Sequence, residues 1–349
     1  MKWENYEKKA TTACKNSGKS DEYIARYLTY AKPLFEQDVP IIFNASHFSD
    51  LVGYDHNYVC SMAYSPKSFY RTFKIKKANG KDRRIDEPLP DLKEIQRWIL
   101  HEILEKISLH STAKAYRSGV TIKDNAKFHR KQPKILTMDI KDFFPSIRIH
   151  NVFLIFQSIG YNTKVASFLA HLCCYKRSLP QGAPTSPYLS NIRMRDFDNK
   201  VFQYASARKI RYTRYADDLT FSGDFDVSRM IRIVDHELFS EGFQLNSKKT
   251  RVAHKNTRQI VTGIVVNDHM QLPREVRRKI RQEVYYIRTY GIDSHLRRIN
   301  ETRSNYLLHL TSLAGYGCFI NPNDKELAGY VQYLKEVIRE YYIESQITY

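Results

Sequence analysis

Acid is what this sequence has little of. Its 37 Asp and Glu stand against 56 Lys and Arg, leaving a formal net charge of +19 and a pI near 9.5. A surplus that large draws polyanions, and nucleic acid is the commonest of them. It is not an appended basic tail: the excess of base over acid is 9 in residues 1–134, 7 in 135–268 and 3 in 269–349, which suits a long polyanion passing several lobes. Cysteine is scarce too. Cys14, Cys60, Cys173, Cys174 and Cys318 are odd in number and lack metal-ligand spacing, and sequence neighbours such as Cys173 and Cys174 pair only under strain. They read as reduced cytosolic thiols. No apolar run reaches the roughly 18 residues needed to span a bilayer, and Met1-Lys2-Trp3-Glu4-Asn5 opens no signal peptide. The expectation is a cytoplasmic chain, neither inserted nor secreted. Repeats and low-complexity tracts are also missing. A hydrophobic share of 42% excludes a disordered tail, and 349 residues allow roughly two or three lobes.

Before about residue 62 the chain reads as mixed helix and loop, with an apolar helical pattern at Tyr23, Ile24, Tyr27 and Leu28. Tyr70 to Lys77 then alternates, Ala78-Asn79-Gly80-Lys81 makes a turn, and Arg83-Arg84-Ile85 resumes an extended run, a hairpin signal. Seven Lys or Arg against one acid between Arg71 and Arg84 suit phosphates as well as a solvated edge. A helix follows Pro90. Lys134 to Ile140 reads as a buried strand carrying Asp139, broken by Asp142-Phe143-Phe144-Pro145. One amphipathic helix is expected from about Val152 to Leu172, then the turn Leu179 to Pro187 and another helix toward Tyr204. Ile210–Thr213 and Leu219–Phe221 look like strands flanking the acidic tip Tyr215-Ala216-Asp217-Asp218. Strands mixed with helices indicate an α+β sheet rather than a doubly wound one. The last 80 or so residues look helical: Val276, Ile280, Val284 and Ile287 form a stripe, while Arg274, Arg277, Arg278, Arg281 and Arg288 lie off it. Such an arginine face suits a nucleic-acid backbone, or plain solvent.

An Asp-Asp pair in a turn is by itself ordinary turn chemistry. Asp139 at a strand end gives the pair a different meaning. Joining a nucleotide to a strand takes two magnesium ions about 3.5 to 4 Å apart, and magnesium prefers carboxylate oxygens gathered at one point. If the strands are neighbours in one sheet, the 78-residue separation of Asp139 and Asp217 closes to a single cluster.

Tyr215-Ala216-Asp217-Asp218 resembles the YxDD box of reverse transcriptases, and Asp139 with Phe143-Phe144-Pro145-Ser146 resembles their first catalytic block. Leu179 to Pro187 is similar to the LPQGxxxSP nucleotide-site block. Asn246-Ser247-Lys248-Lys249-Thr250 resembles the later lysine block, and Gly80 to Ile85 with Pro88 the fingers pattern. The blocks run in order from about Tyr70 to Gly263. Asn125-Ala126-Lys127-Phe128-His129 and Val261-Thr262-Gly263 further resemble the NAxxH and VTG elements of retron reverse transcriptases. A look-alike string, Asn44-Ala45-Ser46-His47, lies upstream of the fingers pattern and is read as coincidence.

The resemblance implies a right-hand polymerase: an N-terminal helical extension at 1–62, fingers at 63–134, a palm with an antiparallel sheet at 135–268 carrying a fingers insertion around 150–186, and a helical thumb at 269–349. It implies that Asp139, Asp217 and Asp218 hold two Mg²⁺ ions, for which Mn²⁺ can substitute, with the Ile140 carbonyl as an optional further ligand. Lys249 protonates the leaving pyrophosphate, its neighbour Lys248 being the alternative. Lys81 and Arg83 hold the triphosphate of a dNTP, Gln181 and Gly182 line the nucleotide site, and Phe144 lies under the sugar and excludes a 2′-hydroxyl. Asn125, Ala126, His129, Val261, Thr262 and Gly263, with Arg277 and Arg281, contact RNA. Cys173-Cys174-Tyr175 is assigned to packing.

The activity implied is RNA-directed DNA synthesis on a cognate structured noncoding RNA (msr-msd). Synthesis starts from a 2′-hydroxyl and gives branched, RNA-linked single-stranded msDNA, in antiphage defence with a separate effector protein; a higher-order oligomer stays open. The alternatives are another bacterial reverse transcriptase of the group II intron kind, and a non-catalytic RNA-binding scaffold.

Overall fold

The computed structural model describes residues 2–76, 80 and 82–347. They form two compact units: residues 1–118, 139–204 and 228–247 in the first, residues 119–138, 205–227 and 248–349 in the second.

The first unit opens with helices Trp3–Asn16, Asp21–Glu36, Ala45–Val52 and His56–Tyr64. Three of their starts are set by short polar caps. Ser20, Asn44 and Asp55 accept from the backbone N–H groups of Tyr23, His47 and Tyr58, each cap contributing about 1 kcal/mol. The look-alike string at Asn44 is therefore a helix start. Strands β1 (Tyr70–Lys76) and β2 (Asp82–Pro88) pair antiparallel, Tyr70 opposite Pro88 and Lys76 opposite Asp82. Of β1 only Tyr70 is buried, so the hairpin stands in solvent. Asp82, at the start of β2, is shared by Lys74 at 3.5 Å and Lys76 at 2.8 Å. The expected turn residues Lys77, Ala78 and Asn79, and Lys81, lie outside the described residues.

The single helix expected from Val152 to Leu172 is two helices, Ile149–Ile159 and Thr163–Cys173. Gly160 ends the first at φ 115°, and Asn162 starts the second by accepting from the Val165 N–H at 3.0 Å. A continuous apolar pattern hid this break. The helix expected toward Tyr204 is likewise split, into Ser186–Arg193 and Arg195–Ser206. Cys173 and Cys174 are buried, and burial pushes the Cys173 thiol up to about 12, which suits packing and not thiolate chemistry.

A four-stranded sheet of β3 (Lys134–Asp139), β4 (Arg211–Tyr215), β5 (Asp218–Ser222) and β6 (Arg251–His254), in the order β4-β5-β3-β6, belongs to the second unit except for Asp139, the last residue of β3. A small hairpin follows, β7 (Ile260–Val261) with β8 (Ile264–Val265). Helices Arg274–Tyr290, Ile292–Arg298, Tyr306–Ile320 and Lys325–Ile347 complete the unit. The apolar stripe of the first is its buried face: Ile280, Val284 and Ile287 join Leu310, Ala314, Leu327 and Leu334 in one core. Each of these side chains other than Ala314 contributes roughly 1.5–3 kcal/mol on burial. Gly317 lets the side chains of Leu327 and Leu272 pack directly against its helix; a Cβ there would require both leucines to shift. Among the described residues no helix is long and apolar enough to cross a membrane.

Candidate active site

Tyr215 pairs with Asp218, so Ala216 and Asp217 are the two loop residues of the β4–β5 hairpin. Ala216 sits at φ 58°. That left-handed conformation costs an L-residue roughly 1–2 kcal/mol, and glycine usually fills it. Arg214, whose side chain is fully buried, braces the loop by donating from Nη1 to the Ala216 carbonyl at 3.1 Å. Strain kept at a loop that presents two acids points to function.

The sheet relates this loop to β3. Gly223 N–H, just past the end of β5, donates to the carbonyl of Lys134, the first residue of β3, at 3.1 Å. The neighbouring strands β5 and β3 therefore run in opposite directions. The start of β5, Asp218, is at the end of the sheet where β3 finishes with Asp139. Asp139 is 4% exposed. Its Oδ1 accepts from Asn246 Nδ2 at 2.8 Å, and its carbonyl accepts from Asn246 N–H at 2.8 Å. Asn246 thus fixes both the backbone and the carboxylate of Asp139, a role its place in the lysine block did not reveal. Ile140, the next residue, is buried and bridges to Leu245.

Asp217 is half-buried and Asp218 exposed. Among the described residues no three His, Cys, Asp or Glu side chains form a ready-made metal cage. The donors at this end of the sheet are all hard carboxylate oxygens, the kind that suits an ion keeping water and phosphate as its other ligands. Lys248 and Lys249 are both exposed in the turn Ser247–Lys249.

The described residues expected at the nucleotide belong to the first unit, where the Leu179–Pro187 turn lies against β2. Asp86 N–H donates to the Gln181 carbonyl at 2.8 Å. Gly182 stands at φ 129°, and a Cβ there would lie 2.9 Å from the Asp86 carbonyl oxygen. Glycine is required for this approach to β2. Arg83 is exposed on β2, whereas Arg84 is held by Asp86 at 2.9 Å. Phe143 is buried against Phe243, ring centroids 6.0 Å apart, while Phe144 keeps a half-open ring 6.4 Å from Tyr116. Of the two phenylalanines, Phe144 is the one with a face left to offer.

The residues expected at RNA divide. Asn125, Ala126, His129 and Val261 are all 0% exposed, so they hold the β7–β8 hairpin and the sheet and do not themselves reach RNA edges. Thr213 Oγ1 donates to Asn125 Oδ1 at 2.6 Å. Its hydroxyl proton thus used, it accepts from His129 Nε2 at 2.7 Å, and His129 Nδ1 meets Ser222 Oγ at 2.7 Å. Asn125 Nδ2 reaches Thr262 Oγ1 at 3.5 Å. The network ties strands β4 and β5 to the Thr262-Gly263 loop. Thr262 at φ 47° and Gly263 at φ 83° make that loop. A β-branched residue in this region is a genuine outlier, and Gly263 is exposed.

Arg277 and Arg281 line a cavity of about 1020 Å³ with Arg274, Arg278, Tyr285 and Tyr286. Both are already ion-paired. Arg277 meets Glu326 at 2.9 Å and Asp324 at 3.0 Å, and Arg281 meets Glu326 at 2.6 Å. The hydrogen bond from Arg281 is the main reason the Glu326 carboxyl is held down at about 2. The tyrosines went unread in the sequence, although Tyr285 continues the helical face of Arg274, Arg278 and Arg281.

The family model described as reverse transcriptase (RNA-dependent DNA polymerase) matches residues 75–285. The chain is similar to the retron Ec86 reverse transcriptase of Escherichia coli, 36% identical over 233 residues, 65% of this chain and 72% of that protein. It is similar also to two Myxococcus xanthus proteins. The retron Mx65 reverse transcriptase is 31% identical over 326 residues, 86% of this chain and 72% of that one. The retron Mx162 reverse transcriptase is 32% identical over 252 residues, 62% of this chain and 52% of that one, so the chain matches only about half of it. A family model over more than half of the sequence, and a relative above 30% identity matched over more than two thirds of its length, fit the carboxylates and strand order described above: the chain belongs to the reverse transcriptases, RNA-directed DNA polymerases of the retron type with a right-hand fold.

Proposed function

We propose that the chain copies its cognate structured noncoding RNA into DNA from a 2′-hydroxyl of that RNA, leaving branched, RNA-linked single-stranded DNA. The observation that carries this reading is the sheet order β4-β5-β3-β6, with Asp218 opening β5 at the end of the sheet where Asp139 closes β3. Divalent cations, magnesium by preference, would be held by Asp139, Asp217 and Asp218 with the Ile140 carbonyl, and when bound would lower the pKa of the attacking hydroxyl and stabilise the leaving pyrophosphate.

The chain's own residues do the rest. Asn246 orients Asp139, and Arg214 keeps the Ala216 loop in the conformation that presents Asp217 and Asp218. Gln181 and Gly182 form the wall under the incoming nucleotide, Arg83 and Lys81 hold its triphosphate, and Phe144 excludes a 2′-hydroxyl. Lys249, or its neighbour Lys248, gives a proton to the pyrophosphate. The Thr262-Gly263 loop, exposed at Gly263, and the arginine cavity serve RNA, with Asn125 and His129 bracing the loop from inside. We assign fingers to 63–134, palm to 135–268 with the insertion around 150–186, thumb to 269–349, and residues 1–62 to an N-terminal extension. We further assign the chain to the cytoplasm and to antiphage defence with a separate effector protein.

The test is to express the chain with its RNA and isolate the nucleic acid that copurifies. The double variant Asp217→Asn with Asp218→Asn should retain the RNA and lose the attached DNA entirely. Branched DNA on the double variant would end the catalytic assignment.

A further inference from the structure

A second cavity, of about 420 Å³, lies wholly in the first unit, among the helices His56–Tyr64, Ile149–Ile159 and Thr163–Cys173 and the turn after the last. Tyr64, His150, Phe153, His171, Lys176 and Arg177 line it. Among its described lining residues there is no acid. The rings stand in pairs: Tyr64 with His171 at 5.1 Å, and His150 stacked on Phe153 at 6.1 Å with 22° between the planes. Tyr64 is 59% exposed, so its ring is open to a ligand.

The turn that brings the two cations is unusual. Tyr175 N–H donates to the Ser178 carbonyl at 2.9 Å and Ser178 N–H donates back to Tyr175 at 3.2 Å, so Lys176 and Arg177 are the central residues of a two-residue hairpin loop. Their φ angles are 51° and 64°. Two consecutive positive values define the type I′ turn, for which Asn-Gly is the favoured pair. Here two long cationic side chains occupy both strained positions. The loop is also pinned: Ile149 N–H donates to the Arg177 carbonyl at 3.0 Å, and Tyr175 stacks on Tyr70 at 4.3 Å. The fold thus holds two exposed charges at the mouth of an aromatic cavity, at a cost in strain that packing alone does not explain.

We infer that this cavity is a binding site for a single-stranded nucleic acid, RNA or DNA; its lining shares no residue with the polymerase motifs or with the arginine cavity. Bases stack on Tyr64 and Phe153 with the histidines beside them, and consecutive phosphates meet Lys176 and Arg177. Rings give sequence-tolerant stacking, and cations follow the backbone. The inference goes beyond the polymerase reading and stands whether or not the chain synthesises DNA.

The experiment is photo-crosslinking of the purified full chain with eight-residue oligonucleotides, one of 5-iodouridine and one of 5-iododeoxyuridine, with the crosslinked peptides mapped by mass spectrometry. Crosslinks are expected at Tyr64, Phe153 or His171, and the stronger arm identifies the strand. Lys176→Gln with Arg177→Gln should lower that yield at least tenfold and leave crosslinks in the second unit unchanged. The salt slope of this site should fall by about 1.4, at roughly 0.7 per phosphate contact on a single strand. Lys176→Asn with Arg177→Gly separates charge from shape. It suits the turn, so the melting temperature should not fall, yet the crosslink should be lost. Absence of crosslinks at these three residues in both arms, or a wild-type yield from either double variant, overturns the proposal. Asp217→Asn serves as control, since it should abolish synthesis and leave these crosslinks in place.

Discussion

Gly182→Ala tests how the nucleotide-site turn is held. The added Cβ would lie 2.9 Å from the Asp86 carbonyl oxygen and 3.0 Å from Ile85 Cγ2. The oxygen cannot easily retreat, because Asp86 N–H is itself bonded to Gln181 and β2 is paired along its length with β1. The turn must therefore lift off β2. Lifting loses the Asp86 to Gln181 hydrogen bond, about 1 kcal/mol net, and alanine at φ 129° adds roughly 1–3 kcal/mol of backbone strain. A local cost of about 2–4 kcal/mol is enough to displace Gln181 by some tenths of an ångström. Misplacement by about 1 Å costs a reaction on the order of a hundredfold, so a smaller shift should cost about tenfold in kcat/KM for the dNTP. The assay is steady-state extension of oligo(dT) on poly(rA) with varied dTTP, beside thermal melting of the same preparation. A variant that keeps kcat/KM within twofold of the wild type would refute the reasoning that the approach to β2 sets the nucleotide site.

Three further outcomes follow from the same geometry. His129→Ala leaves the Thr213 and Ser222 hydroxyls without their imidazole partner at a fully buried position, so urea unfolding should show a loss of roughly 2–4 kcal/mol; a loss below about 0.5 kcal/mol would remove the network's structural role. Glu326 has its folded pKa held down, mainly by the Arg281 hydrogen bond, from 4.5 to about 2. A depressed carboxyl adds stability that is complete above the unfolded value and lost as pH falls through the folded one, so the wild type should weaken between about pH 4.5 and 2 and Glu326→Gln should lack that part of the acid transition in a pH-dependent melting series. Phe144→Val removes the half-open ring and should raise ribonucleotide incorporation relative to deoxynucleotide at least tenfold, read by primer extension with rNTPs; unchanged discrimination would move the sugar contact elsewhere.

What could be read in the sequence, and what could not, divides along a physical line. β3, β4 and β5 were legible because strand alternation and a turn tip are local, and the order of the blocks supplied what local pattern could not. The break at Gly160 was hidden because apolar residues continue on both sides of it, and only the cap formed by Asn162 three residues before Val165 betrays two helices. Asn125 and His129 show a different failure. A polar residue in a motif reads as a contact to a ligand, yet burial depends on long-range neighbours: Thr213 and Ser222 lie more than 80 residues further along the chain. The same holds for Asn246, 107 residues after the Asp139 it fixes. Strain is the least legible of all, since no residue type announces that Ala216, Thr262, Lys176 and Arg177 adopt positive φ. Ala216 and Thr262 carry loops of the family's own motifs; Lys176 and Arg177 are the one consecutive pair among the ten described non-glycine residues with positive φ, and they stand at the mouth of a cavity of rings and cations. That contrast gives the Lys176-Arg177 turn the same standing as the motif loops: each is a place where the fold spends stability to fix what a side chain or backbone presents.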